Sequence, residues 1–242
     1  MATLSYHEQK DIENIKKLRE LQKELPSFCS DFFRGIETST STRTRIAYAY
    51  DLKIFFQFLK TANPGTFDNP SHTLTPSDLE KLTVTDLEEY IDYLKCHPSD
   101  TNEDVINTER GLMRKVSSLR SFYSYFFRNE RIEKNPAALV RMPKLHEKEI
   151  IRLEIDEVAK LLDEVEEGDK LTEKQKLYHE RTKVRDLAMM SLLLGTGIRV
   201  SECVGLNIND IDLDTCGARV YRKGGKESVI YFSDEVREVL ED

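Results

Sequence analysis

An apolar run from Leu187 to Leu194 is cut by two glycines flanking Thr196, and the chain resumes as Ile198-Arg199-Val200-Ser201-Glu202. The run predicts a buried helix, and the glycines predict its end and a restart. Arg199 then falls in the first turn of a new helix, where free backbone N–H groups and the helix dipole favour an anion. Glu202 stands three residues on, a spacing from which a carboxylate can hold an arginine as a fixed fork. A fixed guanidinium at a helix start predicts a phosphate site. Further on, Arg222-Lys223-Gly224-Gly225-Lys226 supplies a second basic element on a turn between two strand-like stretches, Ala218 to Arg222 and Ser228 to Phe232.

A chain of 242 residues, 39 % hydrophobic and 33 % charged, has room for two modest helix-rich domains. No apolar stretch is long enough to span a bilayer, and the polar residues 1–11 do not read as a secretory signal. Cys29, Cys96, Cys203 and Cys216 lie far apart with no C-x-x-C pair, which predicts neither a disulfide framework nor a zinc site and fits a reducing cytoplasm. His72 and His97 are isolated in loops and carry no expected metal or catalytic role. No metal or cofactor is expected.

The net charge of −8 argues against nucleic acid until its distribution is read. Residues 41–60 carry a net +3, with Asp51 as their single acid, and residues 107–146 a net +6. Between them residues 69–106 carry −7, and residues 154–180 carry −6. Such segregation suits a basic DNA-facing surface backed by an acidic one; charge alone is equally compatible with solvated helix faces.

Residues 1–35 read as an N-terminal helical arm broken at Pro26, with an ordinary packing role favoured over partner contact. The capping-rich loop Thr38 to Thr42 launches an amphipathic helix from about Arg43 to Lys60, and further starts are predicted at Thr75 and Thr83. The helix from Asn107 to Asn129 turns Leu112, Val116, Leu119, Phe122, Tyr123, Phe126 and Phe127 inward. Its other face carries Arg110, Arg114, Lys115, Ser117, Ser118 and Arg120, bases among small hydroxyl residues that suit close approach to a sugar–phosphate backbone. Arg114, Lys115, Ser118 and Arg120 are candidate DNA contacts there, joined by Arg43 and Arg45 at the earlier helix start. Residues 139–150, basic and Pro-containing, read as a linker whose Arg141 and Lys144 are further candidates. This leaves a helical domain over 36–138 and a second domain over 151–242, in which residues 166–180 read as a charged connector, with partial helix as the alternative, before a helix from Lys183.

Thr196-Gly197-Ile198-Arg199-Val200-Ser201-Glu202, with Leu206 and Asp210-Ile211-Asp212 behind it, resembles the first catalytic box of the tyrosine recombinases, the phage-integrase and Xer family. Arg222 to Glu227 resembles that family's lysine hairpin, with Lys223 at the matching position. Residues 43–59 and 112–127, ending in Asn135-Pro136-Ala137, resemble its helical core-binding domain. The resemblance implies a mainly α chain: an N-terminal helical bundle of SAM-like core-binding type, then the first part of a mixed α+β catalytic domain with a small β-hairpin. It implies Arg199 and Lys223 as catalytic residues and Glu202 as a supporting one, without metal or cofactor. It further implies double-stranded DNA bearing a specific recombination site as partner, self-association on that DNA, and no membrane.

The family's second arginine box and its tyrosine nucleophile lie beyond the lysine hairpin, and nothing matching them occurs before Asp242. Tyr221 and Tyr231, on the hairpin strands, are not proposed as nucleophiles. The chain is therefore expected to bind DNA without cleaving it. Two other readings stand beside the recombinase: a non-catalytic DNA-binding regulator of the same fold, and a type IB topoisomerase-like enzyme.

Overall fold

The computed structural model describes residues 6–98, 103–146, 149–222 and 226–241. The chain divides into two compact units, Met1–Lys148 and Glu149–Asp242.

The first unit is a helical bundle. Helix α1 (Tyr6–Lys23) stops before Pro26, and α2 (Cys29–Gly35) follows. Ser41 caps α3 (Thr42–Ala62), its Oγ accepting the Thr44 N–H at 3.2 Å. A short α4 (Pro64–Phe67) and a 3₁₀ turn over Pro76–Lys81 lead to α5 (Val84–Lys95). Thr83 and Asp86 close a reciprocal cap on α5, and Thr108 caps α6 (Glu109–Arg128), whose end is followed by α7 (Pro136–Leu139). These are the caps that Ser and Thr favour, because their short side chains satisfy otherwise orphaned N–H groups.

Aromatic rings fill the centre. Phe122 lies 5.2 Å from Phe32 and 5.1 Å from Phe126, both edge to face, and touches Phe28 and Phe56. Leu18, Leu21, Leu25, Phe28, Phe32 and Phe33 belong to this same core, so the N-terminal segment from Leu18 on is built into the unit. Phe127, expected inward, is 45 % exposed, because the inward stripe of α6 already closes on Phe126.

A short antiparallel pair, β1 (Cys96–Pro98) with β2 (Asp104–Ile106), was not expected; His97 pairs with Val105 and packs its ring on Tyr93 at 5.4 Å. His97, expected in a loop, is instead buried in β1, because α5 ends at Lys95 and the chain pairs with β2.

In the second unit, α8 (Ile155–Glu167) ends at Gly168 in the left-handed region. Helix α9 runs from Glu173 to Thr196, absorbing much of the expected charged connector. The Gln175 side chain caps its start at Thr172, and ion pairs such as Lys176–Glu173 line its polar part. Then come α10 (Val200–Cys203), β3 (Ile211–Asp212), β4 (Gly217–Arg222), β5 (Lys226–Tyr231) and α11 (Asp234–Glu241), with the strands in antiparallel order β3-β4-β5. Leu192, Ile198, Cys203, Ala218, Val220, Phe232 and Val236 form the core. Only Ser191 and Leu192 of α9 are buried, so the run from Leu187 is half-covered rather than enclosed. All four cysteines are free, and among the described residues no helix is long and apolar enough to cross a membrane.

Gly35 is where α2 meets α6: a Cβ there would lie 2.1 Å from the Tyr125 ring. Gly35→Ala is expected to destabilise the first unit by about 1–3 kcal/mol through overpacking. Glu130, which ends α6 with φ 54°, gives the opposite case: Glu130→Gly should stabilise by about 0.5 kcal/mol by relieving a left-handed non-glycine backbone. Urea denaturation followed by circular dichroism checks both signs.

Candidate functional site

The turn before Arg199 is locked locally. Thr196 Oγ1 donates to the Leu192 carbonyl and accepts the Ile198 N–H at 3.4 Å, while Gly197 takes φ 65° to close α9. Only a glycine takes that backbone without strain. At Gly195 a Cβ would meet Val236 Cγ2 at 2.8 Å, so its bareness lets α11 lie against the end of α9.

Arg199 is the N-cap of α10, with extended backbone (φ −74°, ψ 147°). Glu202 grips it twice: Oε2 accepts the Arg199 N–H at 3.0 Å, and Oε1 accepts from Nη1 at 2.8 Å. Glu202 is buried, whereas the Arg199 side chain is 71 % exposed. The backbone N–H of Arg199 is the largest influence holding the Glu202 carboxyl below its usual range; the guanidinium and the charge of Arg222 add to it against the cost of burial. Arg199's own N–H is taken by Glu202, and α10 is a single turn with little dipole, so the exposed guanidinium is the charged group this turn presents.

Helix α10 packs on both α9 and β4. Arg222 and Lys226 form the last pair of the β4–β5 ladder, and Lys223, which follows Arg222 in sequence, lies outside the described residues. Tyr221 and Tyr231 are both exposed on their strands. Among the described residues no three His, Cys, Asp or Glu side chains converge as a metal site.

The eight candidate DNA contacts all fall within the first unit, which takes in most of the expected linker, and they separate sharply. Arg43 is exposed and lines a cleft of about 470 Å³ between α3 and α6, with Thr44, Ala47, Tyr48, Arg110, Met113, Arg114 and Ser117. Arg141 and Lys144 are exposed after α7. Arg45 is buried and paired with Glu37 at 2.7 Å, tying the preceding turn to α3. Lys115 is buried with its Nζ on Asn107 Oδ1 at 2.6 Å, and burial lowers its pKa. Ser118 is wholly buried. Arg120 donates to the carbonyls of Ala137 and Ala138 at 3.1 and 2.7 Å, fastening α7 to α6. Arg45, Lys115 and Ser118 are thus corrected to interior roles, because the edges of an amphipathic face are covered when a neighbouring helix packs close. Arg110 was passed over, although it sits one turn before Arg114 on the same face.

Glu202→Gln should destabilise the second unit by about 1–2 kcal/mol at pH 7, since an amide cannot accept both Arg199 donors equally well. Because the folded carboxyl titrates below its unfolded value, its stabilisation is complete above about pH 4.3 and is lost as pH falls through the folded value. The gap between wild type and Glu202→Gln should therefore close in acid, as read by urea midpoints from pH 7 down to pH 3.

The phage integrase family model matches residues 151–242. Tyrosine recombinase XerC of Caldanaerobacter subterraneus subsp. tengcongensis is 34 % identical over 226 residues, 90 % of this chain and 58 % of that protein. Tyrosine recombinase XerS of Streptococcus uberis is 31 % identical over 252 residues, 94 % of this chain and 69 % of that protein. In fold, the chain matches a lambda integrase dimer bound to a COC′ core site, with a TM-score of 0.56 at 16 % identity over 92 % of this chain and 56 % of that one. The chain spans 58 % of the length of the Caldanaerobacter relative and 55 % of a Leptospira interrogans XerC. Its 31 % identity across more than two thirds of the Streptococcus uberis protein, over an arginine box folded as described, establishes that this chain belongs to the tyrosine recombinase family.

Proposed function

We propose that this protein is a site-specific DNA recombinase of the Xer type, in which Arg199 and Lys223 act on the scissile phosphodiester and Glu202 orients Arg199. One observation carries the reading: an exposed guanidinium is held by a buried carboxylate on a helix packed against β4, the strand whose next residue is Lys223.

The chemistry follows from the fork. Strand transfer passes through a pentavalent phosphorus whose non-bridging oxygens gather charge. Glu202 takes one edge of Arg199, Nη1 and the backbone N–H, and leaves the rest of the guanidinium open to solvent. A pre-oriented donor pair stabilises the developing charge more than the ground state, since no reorganisation remains to be done. The departing 5′-oxygen requires a proton, and Lys223, next in sequence after β4, can deliver it as general acid. The family's chemistry stores the bond energy as a 3′-phosphotyrosyl link, so neither a metal nor ATP is required. In the first unit, Arg43 and Arg110 offer exposed charge to duplex DNA, with Arg141 and Lys144 following α7. The lambda integrase neighbour, a dimer on its core site, supports duplex DNA as partner and association upon it.

The test has two stages. The 242-residue chain should bind duplex DNA with an affinity that falls steeply with salt. A form of the protein spanning the full length of its relatives should form a covalent adduct on nicked suicide duplexes. Arg199→Ala or Lys223→Ala should cut that adduct by about a hundredfold or more. Undiminished trapping by both variants sinks the assignment, and relaxation of supercoiled DNA without any preferred site would move it to a topoisomerase.

A further inference from the structure

The cleft between α3 and α6 holds three arginines, and they are not equivalent. Arg43 and Arg110 are exposed. Arg114 instead donates Nη1 to Asp51 Oδ2 at 2.5 Å, and Asp51 is buried at 3 % exposure while Arg114 stays 46 % exposed. Asp51 lies one turn beyond Ala47 on α3 and reaches the cleft through its pairing with Arg114, which lines it. Its other oxygen, Oδ1, makes no hydrogen bond of good geometry among the described residues, although the Ser118 hydroxyl sits beside it.

A cation paired this closely with a buried anion is a poor counterion. Its net charge is largely cancelled, and releasing DNA counterions depends on net positive charge. As a directional donor it is good: its rotamer freedom is spent before any ligand arrives, and the unpaired edge of its planar fork keeps one orientation. Planar forks discriminate base edges, above all the paired acceptors of guanine in the major groove. Resting on the DNA-binding reading above, we propose that Arg114 reads a base edge rather than a phosphate, and that Asp51 is the positioning residue that makes it a reader, while Arg43 and Arg110 supply the phosphate contacts.

The arrangement costs fold stability, which is itself informative. Burial raises the Asp51 carboxyl to about 6, outweighing the pull of Arg114, Lys115 and the Ser118 hydroxyl on α6; the Tyr90 hydroxyl of α5 faces its backbone carbonyl at 3.5 Å. A folded value raised above the unfolded one means that the proton is held more tightly in the folded state. Stability from this group therefore falls as pH rises from about 4 through about 6. An acid kept there for structure alone would be replaced to advantage by its amide.

The experiment selects bound duplexes from a randomised DNA library with the 242-residue chain, and measures salt slopes on one selected duplex and one unrelated duplex. Wild type should yield a consensus. Arg114→Lys, which retains the charge and a partner for Asp51, should lose the preference at one base position by about tenfold with an unchanged salt slope. Asp51→Asn should blur that same position while melting no lower than wild type at pH 7.5. Lowering the pH from 7.5 to 5 should blur it in wild type and leave Asp51→Asn unmoved. Arg43→Ala and Arg110→Ala should each reduce the slope by about one and keep the consensus. An intact consensus in Arg114→Lys, or wild-type binding with no consensus, overturns this inference alone. A wild-type chain that binds no duplex overturns it together with the DNA-binding reading.

Discussion

Glu202 decides what Arg199 can be. A buried carboxylate that accepts the backbone N–H at 3.0 Å and the guanidinium at 2.8 Å fixes both ends of one residue, so the exposed fork has little left to search. The same device recurs between Asp51 and Arg114, with a different balance. Glu202 receives two good hydrogen bonds, one from the backbone, and its carboxyl is held low. Asp51 receives one, leaves Oδ1 unbonded, and is pushed up to about 6. Desolvation acts on both acids; at Asp51 it is the largest influence and wins, while at Glu202 the backbone N–H of Arg199 outweighs it.

These polar pairs stand on frames that do not need them. In the first unit the relative placement of α3 and α6 is set by rings: Phe55 and Phe56 from one helix and Phe122 and Phe126 from the other are all buried, and Phe122 meets Phe56 at 6.2 Å. Edge-to-face contacts of that kind add specific geometry to plain area burial. In the second unit Val220 and Ala218 of β4 and Leu192 of α9 are buried around Ile198 and Cys203, so the short α10 is held by a sheet rather than by its own helical hydrogen bonds.

Much of this was legible in the chain. Ser41, in the capping-rich loop, and Thr83 announce helix starts because a cap needs only local chemistry, and the β4–β5 pair is announced by strand-like stretches on either side of Gly224-Gly225 in the sequence. The arginine box was legible as a spacing, and the i,i+3 hold of Glu202 on Arg199 is the contact that spacing predicts. What failed was everything decided by a neighbour. Lys115 and Ser118 belong to the basic face by periodicity, yet the surrounding chain covers them, with Asn107 closing on the lysine. The β1–β2 pair depends on a cross-strand register that three-residue strands cannot signal. The polar start of α9 looked like a connector because its stability comes from i,i+3 ion pairs rather than an apolar stripe. Asp51 left one trace, as the single acid in a basic stretch, and only the fold shows that it is buried under an arginine.

Burying the acid and exposing the base gives a directional group without a mobile one. The reverse arrangement would leave a guanidinium whose donors face inward, and removing its partner would strand a charge in the core. With the acid inside, the arginine gives up part of its net charge and keeps its geometry. That exchange suits a group whose target is a particular set of oxygens or a particular base edge. It does not suit one whose task is to gather DNA from solution, which falls to unpinned cations. Arg43 and Arg110 remain exposed on the cleft lining, and Arg141 and Lys144 on the segment after α7, where their full charge is available. The division of labour among the arginines is therefore set by which of them has a buried carboxylate beneath it.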